Sequence, residues 1–129
     1  MRHAVVWIDD KEARLFTVDK TLEQSVVKAR GPHIHRHAKA EEVRARNHPD
    51  DAHRFFHAVA QALADDDQVL VVGPAQAKLH FFKYVQQHEH AIEPKIVGLE
   101  TVDHPTDAQL VAHLRQYFHE AKPRRGVEP

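Results

Sequence analysis

The chain has 129 residues, a formal net charge of −1 and an apolar content of 42%. This size suits one domain with a single core, so we predict an α/β domain over residues 1–121 and a flexible tail over 122–129. The absence of cysteine excludes disulfides and thiolate metal sites. The apolar stretch near the N-terminus stops at Asp9 and Asp10, which is too short for a signal peptide or a membrane span, so we expect a cytoplasmic protein.

Five strands and three helices are predicted in chain order. A short polar turn joins apolar strands at 4–8 and 13–18, a pattern typical of an antiparallel hairpin. A third strand follows at 22–30, and the segment 31–47 is predicted to be a basic loop of low order because it has little apolar material. Further along the chain we predict a helix from Pro49 to Leu63, a strand at 68–72, a helix at 74–88, a strand at 95–99, and a last helix from Thr106.

Local signals refine the helices and the core. Pro74 suits the first position of a helix because an N–H there would have no partner, and Thr106 with Gln109 has the form of a capping box. The helix at 74–88 is predicted to bury Leu79, Phe82 and Val85. The aromatic residues assigned to the core are Trp7, Phe55, Phe56, Phe82 and Phe118.

The order of these elements predicts a mixed sheet. Three neighbouring strands precede two strands that each follow a helix, which indicates a single sheet with helices on both faces. By analogy with the ribonuclease-H-like topology, we predict the strand order 3-2-1-4-5, with strand 2 antiparallel to the rest.

The strand, turn and helix around Gly73-Pro74-x-x-x-Lys78-x-x-Phe81 carry a family resemblance. This arrangement resembles the middle domain of class-I peptide release factors and of Pelota. The segment 5–16 looks like the opening hairpin of that family, and 97–107 is similar to bacterial stand-alone translational machinery proteins. The resemblance implies a translational-machinery-like fold and a partner in the translation apparatus.

The catalytic loop of the release factors has no counterpart here. Their peptide-release chemistry depends on a Gly-Gly-Gln loop, whereas this sequence contains no Gly-Gly, and Gly31-Pro32 occupies the corresponding place. Pelota-like proteins also lack that loop and act through binding. The resemblance therefore implies a non-catalytic protein that binds the ribosome or RNA and does not hydrolyse peptidyl-tRNA. The sequence leaves the oligomeric state open.

A basic segment, residues 28–46, supplies the predicted nucleic-acid contact. Lysine and arginine neutralise phosphates without reading sequence, and histidine stacks on bases, so we predict RNA or ribosome binding rather than DNA sequence reading or membrane binding. The alternative is a solvated face, weakened by the acids nearby at positions 41, 42, 50 and 51. The predicted contact residues are Lys28, Arg30, Arg36, Lys39, Arg44 and Arg46.

A transition-metal site is the alternative function for this region. His33, His35 and His37 alternate, so in an extended segment their imidazoles share one side, and with Asp10 or His53 they would hold Zn, Ni or Cu. Such a site would make the chain a metal-binding protein or a metal-dependent hydrolase. Without it, no cofactor is predicted.

Two further motifs each have a structural alternative. Asp9 and Asp10 occupy the place of the first metal carboxylate of ribonuclease-H-like nucleases, but the acids 65–67 fall at the opposite end of the sheet, which favours a role in the hairpin turn. Gly73 and Lys78 lie at a helix start, where amides and the helix dipole favour an anion. Their alternative role is to shape the turn.

Overall fold

The computed structural model describes residues 1–29 and 49–127, with side chains over 1–29 and 52–119. The chain begins with three strands and continues with helices and strands in alternation. In chain order the elements are β1 (His3–Ile8), β2 (Glu12–Val18), β3 (Leu22–Lys28), α1 (Pro49–Ala62), β4 (Gln68–Gly73), α2 (Ala77–His88), a 3-10 turn (Glu93–Lys95), β5 (Ile96–Thr101) and α3 (Asp107–Val127).

The five strands form one mixed sheet in the order β3-β2-β1-β4-β5. β1 and β2 are antiparallel, as are β2 and β3. β1 and β4 are parallel, and so are β4 and β5, with a register irregularity between Val69 and Leu70. Among the described strands β2 alone therefore runs against the others, which confirms the predicted topology.

The sheet divides the core into two layers, because successive side chains of a strand point to opposite faces. Along β1, Val6 and Ile8 pack in the layer formed with α1 and α2. Val5 and Trp7 pack in the other layer, with Leu114 and other residues of α3. The single core expected from the chain length is thus two apolar layers on opposite faces of one sheet, and the prediction of helices on both faces is confirmed.

The start of α2 differs from the prediction. Pro74 is not the first helical residue: residues 74–76 form a bend, and the helix begins at Ala77. The amides of Leu79 and His80 both donate to the carbonyl of Gln76, so the helical hydrogen-bond series opens there rather than at Gly73. α3 is helical as far as Val127, beyond the point where the tail was predicted to begin; the flexibility of that tail stays a prediction.

Of the predicted buried face of α2, Val85 is confirmed, whereas Leu79 and Phe82 are each wrong by one position. Leu79 is 45% exposed and Phe82 is only half-buried, whereas Phe81 is fully buried. The observed face consists of Lys78, Phe81 and Val85 with Tyr84 beside them. The other aromatic residues assigned to the core are buried, and the capping box is confirmed: Gln109 N–H donates to Thr106 Oγ1 over 3.1 Å, and Thr106 N–H donates to Gln109 Oε1 over 2.9 Å.

Candidate nucleic-acid interface

The basic segment starts at the edge of the sheet. Lys28 ends β3, opposite Glu12 in the β2–β3 register, and its Nζ lies 2.9 Å from Glu12 Oε1, with both side chains partly exposed. The amide of Ala29 donates to the carbonyl of Lys11 over 2.8 Å, which fixes the chain where it leaves β3. The other predicted contact residues, Arg30, Arg36, Lys39, Arg44 and Arg46, lie outside the described residues, so their RNA contact stays a prediction.

The two ends of this segment join the same layer of the protein. Val27, next to Lys28, packs against the apolar layer that contains Phe55 and Val59 of α1. α1 begins at Pro49, directly after the segment. In the sequence the basic segment therefore runs from the edge strand β3 toward α1.

A cluster of imidazoles and one phenol lies between α1 and α2, close to that layer. The ring centroid of His53 is 5.4 Å from that of Tyr84 and 5.3 Å from that of His88. Glu89 Oε2 is 2.6 Å from His57 Nδ1 and accepts the Tyr84 hydroxyl hydrogen over 2.7 Å. Of these residues only His53 was singled out in the sequence; the spacing of four between His53 and His57, and between Tyr84 and His88, is a signal that places each pair on one helix face.

The environment of the cluster shifts two pKa values in opposite directions. Burial alone raises the pKa of Glu89, but the hydrogen bonds from His57 and Tyr84 outweigh it, so the pKa lies below its ordinary value. For Tyr84, burial and the hydrogen bond to the Glu89 carboxylate both favour the neutral phenol and raise its pKa to about 12. The phenol thus stays a hydrogen-bond donor at all ordinary pH values.

Stability should fall in alkali through Tyr84. A raised pKa in the folded state means that the contribution is complete below the ordinary value of 10.0 and is lost as the pH rises to about 12. At roughly 1.4 kcal/mol per pKa unit, the loss amounts to at most about 3 kcal/mol. Tyr84→Phe should remove this loss, although it costs about 1–2 kcal/mol at pH 8 because the bond to Glu89 disappears. Urea denaturation between pH 8 and 11.5 measures both effects.

Tyr117→Phe is the matched control for that experiment. The Tyr117 hydroxyl makes a long contact of 3.5 Å with the carbonyl of Val97. Its replacement should leave the alkaline loss of stability as large as in the wild type. An equal loss in the Tyr84→Phe variant and the wild type would show that the Tyr84 phenol does not resist ionisation in the fold.

The described residues do not assemble a metal site. Within residues 1–29 and 52–119, no three histidine, aspartate or glutamate side chains lie together in a way that would hold a metal ion. Asp10 is exposed in the β1–β2 turn, and His53 packs against Tyr84 and His88. His33, His35 and His37 are outside the described residues, so the metal site that includes them stays a prediction.

The acids near the sheet ends have structural roles. Asp9 Oδ1 accepts the amide hydrogens of Lys11 and Glu12 over 2.8 and 2.9 Å, which is the role in the hairpin turn favoured from the sequence. At the opposite end of β1, Asp67 Oδ2 accepts the amide hydrogen of Arg2. Asp66 is buried and accepts the Thr17 hydroxyl hydrogen; burial raises its pKa although Thr17 and Arg2 counteract that rise. These acids therefore do not meet Asp9 at one nuclease-like site.

Gly73 and Lys78 close the turn between β4 and α2. Lys78 is only 6% exposed, and its Nζ donates to the carbonyl of Ala75 over 2.6 Å. A Cβ at position 73 would lie 2.3 Å from the carbonyl oxygen of Ile8, so only glycine allows β4 to approach β1 this closely. This geometry favours the structural role of the motif; anion binding at Gly73 and Lys78 stays a prediction.

The β5–α3 loop is held against the hairpin by Trp7 and Arg14. Trp7 Nε1 donates to the carbonyl of Asp103 over 2.7 Å. The Arg14 guanidinium lies 4.6 Å from the centre of the Trp7 ring and 2.8 Å from Asp107 Oδ1. The segment 97–107, which carried part of the resemblance, therefore has a structural role that ties two distant parts of the chain together.

Comparison with known proteins identifies the fold. No protein-family model and no curated protein matches the chain. Among solved structures, Pelota of Archaeoglobus fulgidus matches with a TM-score of 0.60 and 15% identity over 89% of this chain. Pelota of Thermoplasma acidophilum matches with a TM-score of 0.57 and 19% identity over 88% of the chain. An archaeal translation termination factor matches with a TM-score of 0.54 and 13% identity over 97% of the chain.

These matches confirm the predicted similarity to Pelota and to release factors at the level of the fold. The chain spans 31% of each of the two Pelota proteins and 41% of the termination factor. That share is consistent with similarity to one domain of them, the middle domain that was predicted. Membership of a bacterial stand-alone group stays a prediction. Among the described helices, none is both long enough and apolar enough to cross a membrane.

Proposed function

We propose that this protein acts in translation by binding the ribosome or RNA through its basic segment, residues 28–46. The observation that carries the proposal is the fold, since the chain matches Pelota and an archaeal translation termination factor over 88 to 97% of its length. At this level of identity the fold alone is shared, and fold does not by itself imply function. The proposal that the segment binds the ribosome or RNA therefore also rests on the charge of the segment.

Charge supports binding to a polyanion. The segment carries six lysine and arginine residues against Glu41 and Glu42, although the chain as a whole has a net charge of −1. In the described part, Lys28 is already paired with Glu12. The other five cations are therefore the ones we assign to phosphate contact, with the three histidines between them available for stacking on bases.

The proposal includes no catalytic step. The sequence has no Gly-Gly-Gln, and among the described residues no carboxylate and imidazole group forms a metal centre. Asp9, which stands in the place of a nuclease carboxylate, is engaged in the hairpin turn. The role that we propose is therefore that of a binding protein.

Binding should be lost when the cations of the segment are removed. In a variant with Arg36, Lys39, Arg44 and Arg46 replaced by alanine, we expect co-sedimentation with purified ribosomes to fall at least tenfold at moderate salt. Each lost phosphate contact lowers the slope of log affinity against log salt by roughly 0.7 for single strands, so four contacts lower it by about 3. Titration of a labelled single-stranded RNA at several salt concentrations measures that slope.

A charge-matched control distinguishes the effect of losing the cations of the segment from the effect of changing the net charge. Lys11, Lys20, Lys83 and Arg115 are exposed in other parts of the protein, and replacing these four by alanine changes the net charge by the same amount. The control should bind as the wild type does. The proposal is wrong if the two variants weaken binding equally, or if the wild type does not sediment with ribosomes and binds no RNA.

A further inference from the structure

Most of β3 is exposed at the edge of the sheet formed by the described residues. β3 ends the sheet, and among residues 1–29 and 49–127 no strand pairs with its outer side. Six of its seven residues are exposed, including the apolar residues Leu22 at 45% and Val26 at 54%. The strand contains no proline, and its register with β2 is uninterrupted. Within the described residues it therefore lacks the proline, the bulge and the covering element by which edge strands often avoid pairing with another chain, and its charged residues are Glu23 and Lys28.

The hydrogen bonds of the hairpins show which backbone groups point outward. Residues opposite each other in an antiparallel ladder alternate between hydrogen-bonded and non-hydrogen-bonded pairs. The amide of Asp9 donates to the carbonyl of Glu12, so even-numbered residues of β2 bond to β1 and odd-numbered ones to β3. The bond from Ala29 N–H to the Lys11 carbonyl agrees with this alternation. The outward N–H and C=O groups of β3 therefore belong to Leu22, Gln24, Val26 and Lys28.

We propose that this edge pairs with the β3 edge of a second copy of the chain, antiparallel and about a two-fold axis at Ser25. Leu22 of one copy then lies opposite Lys28 of the other, and Gln24 opposite Val26. Each outward residue meets an outward residue, which gives roughly eight backbone hydrogen bonds. The two five-stranded sheets become one continuous sheet.

The strand is complementary to itself in this register. No two like charges lie opposite each other, and the aliphatic part of Lys28 covers Leu22. Leu22 and Val26 share one face of the sheet, so Leu22 of one copy is a diagonal neighbour of Val26 of the other and both lose exposure. Such an isologous contact closes on itself and does not form fibres. Because a single pair of strands is a small interface, the dimer is weak and depends on concentration.

Disulfide trapping at Ser25 tests the register. In the proposed dimer the two Ser25 residues form a non-hydrogen-bonded pair with Cα atoms about 4.5 Å apart, which is within the range for a disulfide. Because the chain has no cysteine, Ser25→Cys introduces a single thiol. We expect mild oxidation to link most of the protein into dimers. Ala108→Cys, an exposed position on α3, is the control and should link at least tenfold more slowly.

A proline substitution tests the hydrogen bonds of the edge without affecting the rest of the sheet. Gln24→Pro removes an N–H that points outward and not toward β2, a position where edge strands tolerate proline. In sedimentation experiments over a range of concentrations, the wild type and Gln24→Ala should form dimers and Gln24→Pro should stay monomeric. Circular dichroism verifies that each variant is folded.

The dimer is refuted by any of three results. One is a wild type that is monomeric at every concentration, as it would be if residues 30–48 or another protein cover the edge. The second is linkage of Ser25→Cys no faster than that of Ala108→Cys. The third is a folded Gln24→Pro variant that dimerises as the wild type does.

Discussion

Replacing Gly73 with alanine should destabilise the protein by about 2–4 kcal/mol. The added Cβ would lie 2.3 Å from the carbonyl oxygen of Ile8, far inside van der Waals contact. That oxygen belongs to the backbone of β1, the central strand, which is paired on both sides with β2 and β4. It cannot move away without disturbing these two ladders. Urea denaturation at neutral pH measures the loss in the free energy of unfolding.

Gly98→Ala is the matched control, because it also places a Cβ close to other atoms. Here the nearest atom is the Tyr117 hydroxyl oxygen at 2.6 Å, followed by Leu70 Cδ1 at 3.0 Å. Both atoms are at the ends of side chains, and the Tyr117 hydroxyl has only a long contact to give up. Gly98→Ala should therefore cost at most about half as much as Gly73→Ala. Equal losses would show that the backbone of β1 yields as readily as a side chain.

The topology of the sheet could be predicted because its signals are local and strong. A polar turn at 9–12 between two apolar strands specifies a hairpin, and Asp9 closes that turn with its own side chain. The apolar run at 68–72 specifies a strand that is buried on both faces, and its residues Val69 to Val72 are fully buried. The analogy with the ribonuclease-H-like topology then supplied the strand order, which neither signal determines alone.

The candidate site was predicted less well because it depends on how α1 and α2 pack. His57 and Glu89 are 32 residues apart, and their hydrogen bond exists only because the two helices lie side by side. No pattern in the sequence indicates that they pair. The turn motif at Gly73 and Lys78 was recognised, but the burial of Lys78 against the Ala75 carbonyl follows from the bend that delays the helix to Ala77.

The face of α2 was misjudged because two phenylalanines are adjacent in the sequence. A stripe through Leu79, Phe82 and Val85 is fully apolar, whereas the observed stripe includes Lys78 and Tyr84 and therefore looks more polar. Lys78 is accommodated because its ammonium group bonds to the Ala75 carbonyl. Tyr84 is accommodated because its hydroxyl reaches Glu89. Both polar atoms have a partner, so their burial does not carry the cost that the sequence pattern suggests.

Replacing Phe81 and Phe82 by alanine, one at a time, should show which face of α2 is buried. Phe81 is fully buried, and its ring meets that of Phe56 edge-on with centroids 5.6 Å apart. Phe81→Ala leaves a cavity in the layer between the sheet and α1, and should destabilise the protein by about 3–5 kcal/mol. Phe82→Ala removes the same number of atoms from a half-buried position, so it should cost no more than about half of that. Thermal and urea unfolding of the two variants provide the comparison.

The informative quantity is the ratio of the two losses in the free energy of unfolding. Both substitutions replace phenylalanine by alanine at neighbouring positions of α2, so they change helix propensity equally. Any difference between them therefore comes from burial. A larger loss for Phe82→Ala would mean that α2 packs with the face predicted from the sequence. The helix would then be rotated by about one residue, or roughly 100°. That rotation would also turn Tyr84 toward the exposed position now held by Lys83, so the burial that raises its pKa, and with it the alkaline loss of stability assigned to Tyr84, should diminish in the same protein.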